Sequence, residues 1–158
     1  MTIQVGDKLP AGALKVMGPK GPTELTIEEL CAGKKVVLFA VPGAFTPGCS
    51  MTHLPGFVVN ADKIKANGVD TIVCLAVNDA FVMDAWGKAQ NAEELVMAAD
   101  GSAEFTTALG LVLDATAFGM GIRSKRYAMI VNDGEVTYLG VDAQAIEASA
   151  ADAVLEAL

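Results

Sequence analysis

Cys49 follows Thr46-Pro47-Gly48 and precedes a long stretch of helical periodicity, so its sulfur is predicted to lie in the first turn of a helix. Thr46 suits the capping position and Pro47 the first helical position, where a missing N–H costs nothing. A cysteine placed there faces free backbone N–H groups and the positive end of the helix dipole. That setting favours the thiolate, which is the nucleophilic form of sulfur. A free cysteine also serves in many proteins as a small core residue. A strand, a Gly/Pro loop and then a cysteine at a helix start is nevertheless an address for thiol chemistry. The other two cysteines have weaker addresses. Cys74 lies inside the apolar run Ile72 to Val77 and reads as a buried, inert thiol, able to resolve an oxidised Cys49 only after local unfolding. Cys31, beside Ala32-Gly33, is expected near the surface and has no assigned role.

The elements that must hold Cys49 are readable around it. Thr26 with Glu29 has the form of a capping box and opens a short helix that Gly33 ends. Val36-Val-Leu-Phe-Ala-Val41 is a continuous apolar run, predicted to be a strand buried on both faces and stopped by Pro42-Gly43. The helix carrying Cys49 is expected to run to Asn67-Gly68, with a bend at Pro55-Gly56, and Thr71 to Val77 is the next buried strand. Asn78-Asp79 caps a helix reaching about Gln90, Val96 to Ala99 is a short strand, and Ser102 opens a helix ending near Leu109-Gly110. Tyr127 to Val131 and Val136 to Leu139 flank Asn132-Asp-Gly-Glu135 and should form a hairpin, after which Ser149 caps a helix over 150–158. The order predicts one α/β domain over 1–158, with a mixed central sheet and helices on both faces, the thioredoxin arrangement.

The segments Val41-Pro-Gly-Ala-Phe-Thr-Pro-Gly-Cys-Ser50, Thr52-His-Leu-Pro-Gly-Phe57, Val77-Asn-Asp-Ala-Phe-Val82 with Trp86, Ala99-Asp-Gly-Ser102 and Arg123-Ser-Lys-Arg-Tyr127 carry a resemblance over essentially the whole chain. They resemble the peroxiredoxins, in the subfamily known as peroxiredoxin 5 or type II. The resemblance implies that Cys49 is the peroxidatic cysteine, attacking a peroxide oxygen and becoming a sulfenic acid. It further implies that Thr46 orients the peroxide, that Pro42 shields the pocket from water, and that Arg126 stabilises the thiolate and the leaving oxygen. Taken alone, Arg126 reads as a solvated strand end with Arg123 and Lys125 as rivals, and spacing does not choose among the three. The resemblance ranks Arg126 first, with Arg123 in support. His53 stands at i, i+4 from Cys49, which favours a structural or pocket-wall role behind the thiol over proton transfer. Gly48 and Phe45 are assigned to the pocket, and Phe45, Phe81 and Trp86 to packing or an interface.

No cysteine follows Cys74, so a C-terminal resolving partner is absent and an external thiol is expected to recycle Cys49: glutathione with glutaredoxin, or thioredoxin. The resemblance also implies a homodimer packed near the active-site loops, and hydrogen peroxide and alkyl hydroperoxides as substrates. The alternative is a thiol redox sensor that is oxidised without turning over. A disulfide reductase fits less well, since Pro47-Gly-Cys-Ser50 offers one cysteine where C-x-x-C needs two. Three cysteines and one histidine make a poor metal cluster, and no phosphate- or dinucleotide-binding glycine pattern occurs, so neither metal nor cofactor is expected. The formal charge of -8 repels nucleic acid and anionic lipid, and the apolar runs are strand-sized, so neither nucleic acid nor membrane is an expected partner. The N-terminal residues show no leader pattern, and the cytoplasm is the expected compartment.

Overall fold

The structure, a computed structural model, describes residues 2–158. Its centre is the predicted apolar run, now strand β3 (Lys35–Val41), in a seven-stranded mixed sheet ordered β2-β1-β5-β4-β3-β8-β9. The other strands of this sheet are β1 (Ala13–Gly18), β2 (Gly21–Thr26), β4 (Thr71–Ala76), β5 (Val96–Ala99), β8 (Arg126–Asn132) and β9 (Glu135–Asp142). A separate ribbon pairs β6 (Val112–Asp114) with β7 (Ile122–Ser124). The helices are α1 (Ile27–Cys31), α2 (Leu54–Ala66), α3 (Ala80–Ala89), α4 (Glu104–Leu109) and α5 (Ala151–Ala157).

Because side chains alternate along a strand, β3 feeds two cores. Val37, Phe39 and Val41 pack with Cys49, Phe57, Ile64, Trp86 and Val154, beneath α2, α3 and α5. Val36, Leu38 and Ala40 pack on the opposite face with Leu30, Phe105 and Leu109, beneath α1 and α4. Burial on both faces is why the run reads as uninterrupted apolar rather than alternating. β3 runs parallel to β4 and antiparallel to β8, with Ala40 opposite Tyr127. Tyr127 belongs to the second core, so its chain neighbour Arg126 projects toward the first, where Cys49 lies. The β8–β9 turn has Asp133 at φ 49 and Gly134 at φ 83, the two positive values a type I′ hairpin turn needs.

Several expectations require correction. The hairpin β1–β2 and the ribbon β6–β7 had no strand signal, because their residues are mostly exposed or half-buried and show neither clear alternation nor an apolar run. Ser102 does not cap α4. Asp100 does, accepting from the N–H groups of Phe105 and Thr106 and from the Thr106 hydroxyl, while Ala103 turns the chain at φ 58. Ser149 does not cap α5 either, since its hydroxyl donates to Asp142. The helix through Cys49 does start at Pro47, but the expected bend is a π-helical turn, Cys49–His53, immediately before Pro55. The Leu54 N–H reaches back to the Cys49 carbonyl, one residue further than an α-helical bond. Such a turn absorbs an irregularity next to a proline without breaking the helix. Among the described residues no helix is long and apolar enough to cross a membrane.

Candidate active site

Pro42 ends β3, and the loop that follows is held at its start by three contacts. The Thr46 hydroxyl donates to the Gly43 carbonyl at 2.7 Å, the Ala44 N–H donates to Asn78 Oδ1 at 2.9 Å, and Arg123 Nη1 donates to the Pro42 carbonyl at 3.2 Å. Thr46 therefore sits at the helix start without capping it by its side chain. Its own carbonyl accepts the Ser50 N–H at 2.9 Å, while its hydroxyl proton is committed to the loop. Phe45 takes φ 66, a left-handed value uncommon for a bulky residue, and leaves its ring 56% exposed.

The loop delivers Cys49 into the π turn with its side chain fully buried. Arg126 Nη2 donates to Cys49 Sγ at 3.2 Å. Arg126 Nη1 meets His53 Nδ1 at 2.8 Å, and His53 Nε2 meets the Ser149 carbonyl at 2.8 Å. One guanidinium thus spans the sulfur and the imidazole, a use of its planar fork that a lysine ammonium cannot copy. Gly48 lies against it, a Cβ there standing 3.4 Å from Arg126 Nη2. Behind the thiol, Trp86 Nε1 donates to Ser50 Oγ at 3.0 Å, fixing the turn against α3. Burial, opposed by the Ser149 carbonyl, reinforced by the Arg126 charge and opposed again by Asp142, pushes His53 down to about 4, so its ring is neutral near pH 7.

The Redoxin family model matches residues 4–155. Peroxiredoxin-2B of Arabidopsis thaliana is 46% identical over 159 residues, covering 99% of this chain and 98% of its own. This chain belongs to the peroxiredoxins. It is a member of their type II, peroxiredoxin 5-like subfamily, a thiol-dependent peroxidase with the thioredoxin-like fold. Among solved structures, reduced Prx3 from Vibrio vulnificus in complex with hydrogen peroxide superposes with a TM-score of 0.96 at 55% identity, covering 99% of both chains. Peroxiredoxin 5 from Alvinella pompejana does so with 0.86 at 36% identity, covering 98% of this chain and 97% of that one.

In this peroxiredoxin the three rival cations separate cleanly. Arg126 touches the sulfur. Arg123 braces the loop through the Pro42 and Met120 carbonyls, and Lys125 is exposed. His53 is buried, within a hydrogen bond of Arg126 and beside the rings of Phe39 and Phe57. Cys74 is buried on β4, and desolvation, with the Cys49 sulfur adding to it, raises its thiol well above the usual range. The expectation of a surface position for Cys31 is overturned. It is buried against Ile27 and Leu30, and burial raises its thiol against a smaller opposing effect of Lys34. Sequence reading missed Asp142 and the Ser149 carbonyl, which reach the site through a loop and carry no motif.

Proposed function

We propose that this peroxiredoxin reduces hydrogen peroxide and small alkyl hydroperoxides by a one-cysteine cycle confined to a single domain. The observation that carries the reading is the Arg126 guanidinium 3.2 Å from a buried Cys49 sulfur at a helix start. The Cys49 thiolate attacks one peroxide oxygen, the O–O bond breaks, and the second oxygen leaves with the electron pair and takes a proton as water or alcohol. The sulfur is left as a sulfenic acid. The Thr46 proton is engaged by Gly43, so the Thr46 oxygen offers its lone pairs to a peroxide O–H, while Arg126 donates toward the leaving oxygen. Pro42, half-buried and braced by Arg123, walls the pocket. The Vibrio vulnificus relative, bound to hydrogen peroxide, supports the substrate class.

The recycling half follows from what Cys74 lacks: it is buried and its thiol is held protonated. Glutathione with glutaredoxin, or thioredoxin, then reduces the sulfenic acid, releasing water through a mixed disulfide that a second thiol opens. The cytoplasm, where such thiols are kept reduced, is a compartment that suits this cycle. With glutathione and glutaredoxin present, the protein is expected to consume many equivalents of hydrogen peroxide, and Cys74→Ser to retain at least half of that turnover. Consumption that stops at one equivalent would make the protein a redox sensor, and loss of turnover in Cys74→Ser would make Cys74 the resolving thiol.

A homodimer built on the active-site rim accompanies this reading. Phe45 and Phe81 are 56% and 64% exposed, and Phe118, at 82%, ends the short helical turn between β6 and β7. Exposed aromatic side chains of this size support an interface, where such residues are enriched. Light scattering is expected to give twice the chain mass, falling to one chain mass in Phe45→Glu; a wild-type monomer would count against it.

A further inference from the structure

His53 forms two hydrogen bonds whose partners fix its chemistry. The Ser149 carbonyl only accepts, so Nε2 carries the proton. The Arg126 guanidinium only donates, so Nδ1 offers its lone pair. The neutral Nε2–H ring is therefore the one protonation state that satisfies both, and it transmits the position of Ser149 to Arg126 and hence to the Cys49 sulfur. The Ser149 carbonyl is in turn held from the end of β9. Asp142 Oδ2 accepts from Glu147 N at 3.0 Å, Ser149 N at 2.8 Å and Ser149 Oγ at 2.6 Å, and Oδ1 accepts from Ala148 N at 3.2 Å. Tyr138 pins the same loop by donating to the Ala148 carbonyl at 2.7 Å, and Gly140 lets that carbonyl approach where any side chain would collide with it.

We propose that His53 is a positioning residue for Arg126, and that Asp142, by tying residues 147–149 together, sets from the C-terminal segment the rate at which Cys49 reacts with peroxide. The proposal rests on the peroxidase reading of Cys49 and Arg126 given above. It explains why an exposed loop is bound by four donors to one carboxylate, when a loop needed only to reach α5 has no use for a fixed Ser149 carbonyl. It also explains a neutral imidazole beside a guanidinium: a protonated ring would lose its acceptor and set a second cation against Arg126. The charged groups around the ring are Arg126 from β8, Asp142 from β9 and Asp152 from α5. Phe39 of β3 and Phe57 of α2 present uncharged faces. A cleft of about 220 Å³ lined by Thr52, Gly56, Asn60, Ile146 and Asp152 reaches His53 from the α5 side.

The test is a double-mutant cycle read by stopped-flow oxidation of reduced protein with hydrogen peroxide, joined to ¹⁵N NMR of the chain's one histidine. Asp142→Ala is expected to slow oxidation on the order of tenfold, as misplacing a reactive group does. In an Arg126→Gln background the same change is expected to slow it no further, because the route to the sulfur is already cut. The imidazole of the unaltered protein is expected as Nε2–H at neutral pH, taking its second proton at about 4, and Asp142→Ala to show mixed tautomers and a midpoint lowered further, since the Ser149 carbonyl and the Asp142 charge both favour the protonated ring. Equal and additive losses in both backgrounds, or an unchanged tautomer in a folded Asp142→Ala protein, would overturn the proposal. Asp142→Asn, which keeps an acceptor for the three bonds now made by Oδ2 but sets an NH2 group against the Ala148 N–H, serves if the alanine variant fails to fold: it is expected to slow oxidation a few-fold, with no further slowing in the Arg126→Gln background, and equal slowing in both backgrounds, or none in either, would overturn the proposal. Should the unaltered protein ignore peroxide, the peroxidase reading fails while the NMR result still reports on His53.

Discussion

Cys49→Ser is expected to lower the rate of reaction with hydrogen peroxide by on the order of a thousandfold or more, to the background of peroxide with buffer. A hydroxyl in the sulfur's place is not ionised and is a poor nucleophile toward a peroxide oxygen, so neither the Arg126 donor nor the Thr46 oxygen has a reaction left to assist. The fold should survive. Serine is only slightly smaller than cysteine, and its hydroxyl can accept the Nη2 donor that Sγ accepts, so no buried donor is orphaned. Stopped-flow fluorescence with thermal unfolding as the control checks both halves. Retention of a few per cent of the rate would move the chemistry to Cys31 or Cys74. Both are buried, and burial raises both thiols, which leaves little thiolate at either sulfur. The size of the expected loss therefore follows from the three sulfurs having different surroundings: only Cys49 has a guanidinium aimed at it.

How much of this was legible beforehand depended on how local the cause was. β3 and β4 are continuous apolar runs because both faces are buried, and the hairpin turn needs two positive φ values that Asp133-Gly134 supply, so each announces itself within a few residues. β2 is the edge strand of the sheet and β1 lies beside it, with side chains mostly exposed or half-buried, and β6 and β7 are three residues each, too short for any period to register. The caps failed for a related reason. Ser102 and Ser149 are good cap formers, but Asp100 and Asp142 stand within seven residues of the groups involved and offer two oxygens each, so the carboxylates took the donors. The site followed the same rule. Cys49, Thr46 and Pro42 lie within one loop, whereas the choice among Arg123, Lys125 and Arg126 depends on the pairing of β8 with β3, a contact across more than eighty residues. Strand alternation then decides it. Arg126, one residue before Tyr127, has to face the core that contains Cys49.

That placement makes Arg126→Gln the second large effect. The guanidinium supplies two separate donors, Nη2 to Cys49 Sγ and Nη1 to His53 Nδ1, and carries the positive charge that meets the negative charge passing from sulfur to the leaving oxygen. A glutamine is neutral and too short to span both partners. Removing one preorganised donor from a transition state of this kind costs a factor of about 10²–10³, and that is the loss expected in the second-order rate with hydrogen peroxide. Arg126→Lys is expected to recover part of it, since an ammonium restores charge but cannot hold the sulfur and the imidazole in one plane. Arg123→Gln is the informative companion. It removes donors to the Pro42 and Met120 carbonyls, leaving the sulfur's own donor in place, so it should loosen the loop and cost only a few-fold. Rates for the three variants across several peroxide concentrations separate these cases. If Arg123→Gln were the slower protein, the cation serving the leaving oxygen would have to arrive from the β6–β7 ribbon on peroxide binding, and the geometry at Cys49 would describe only the resting enzyme.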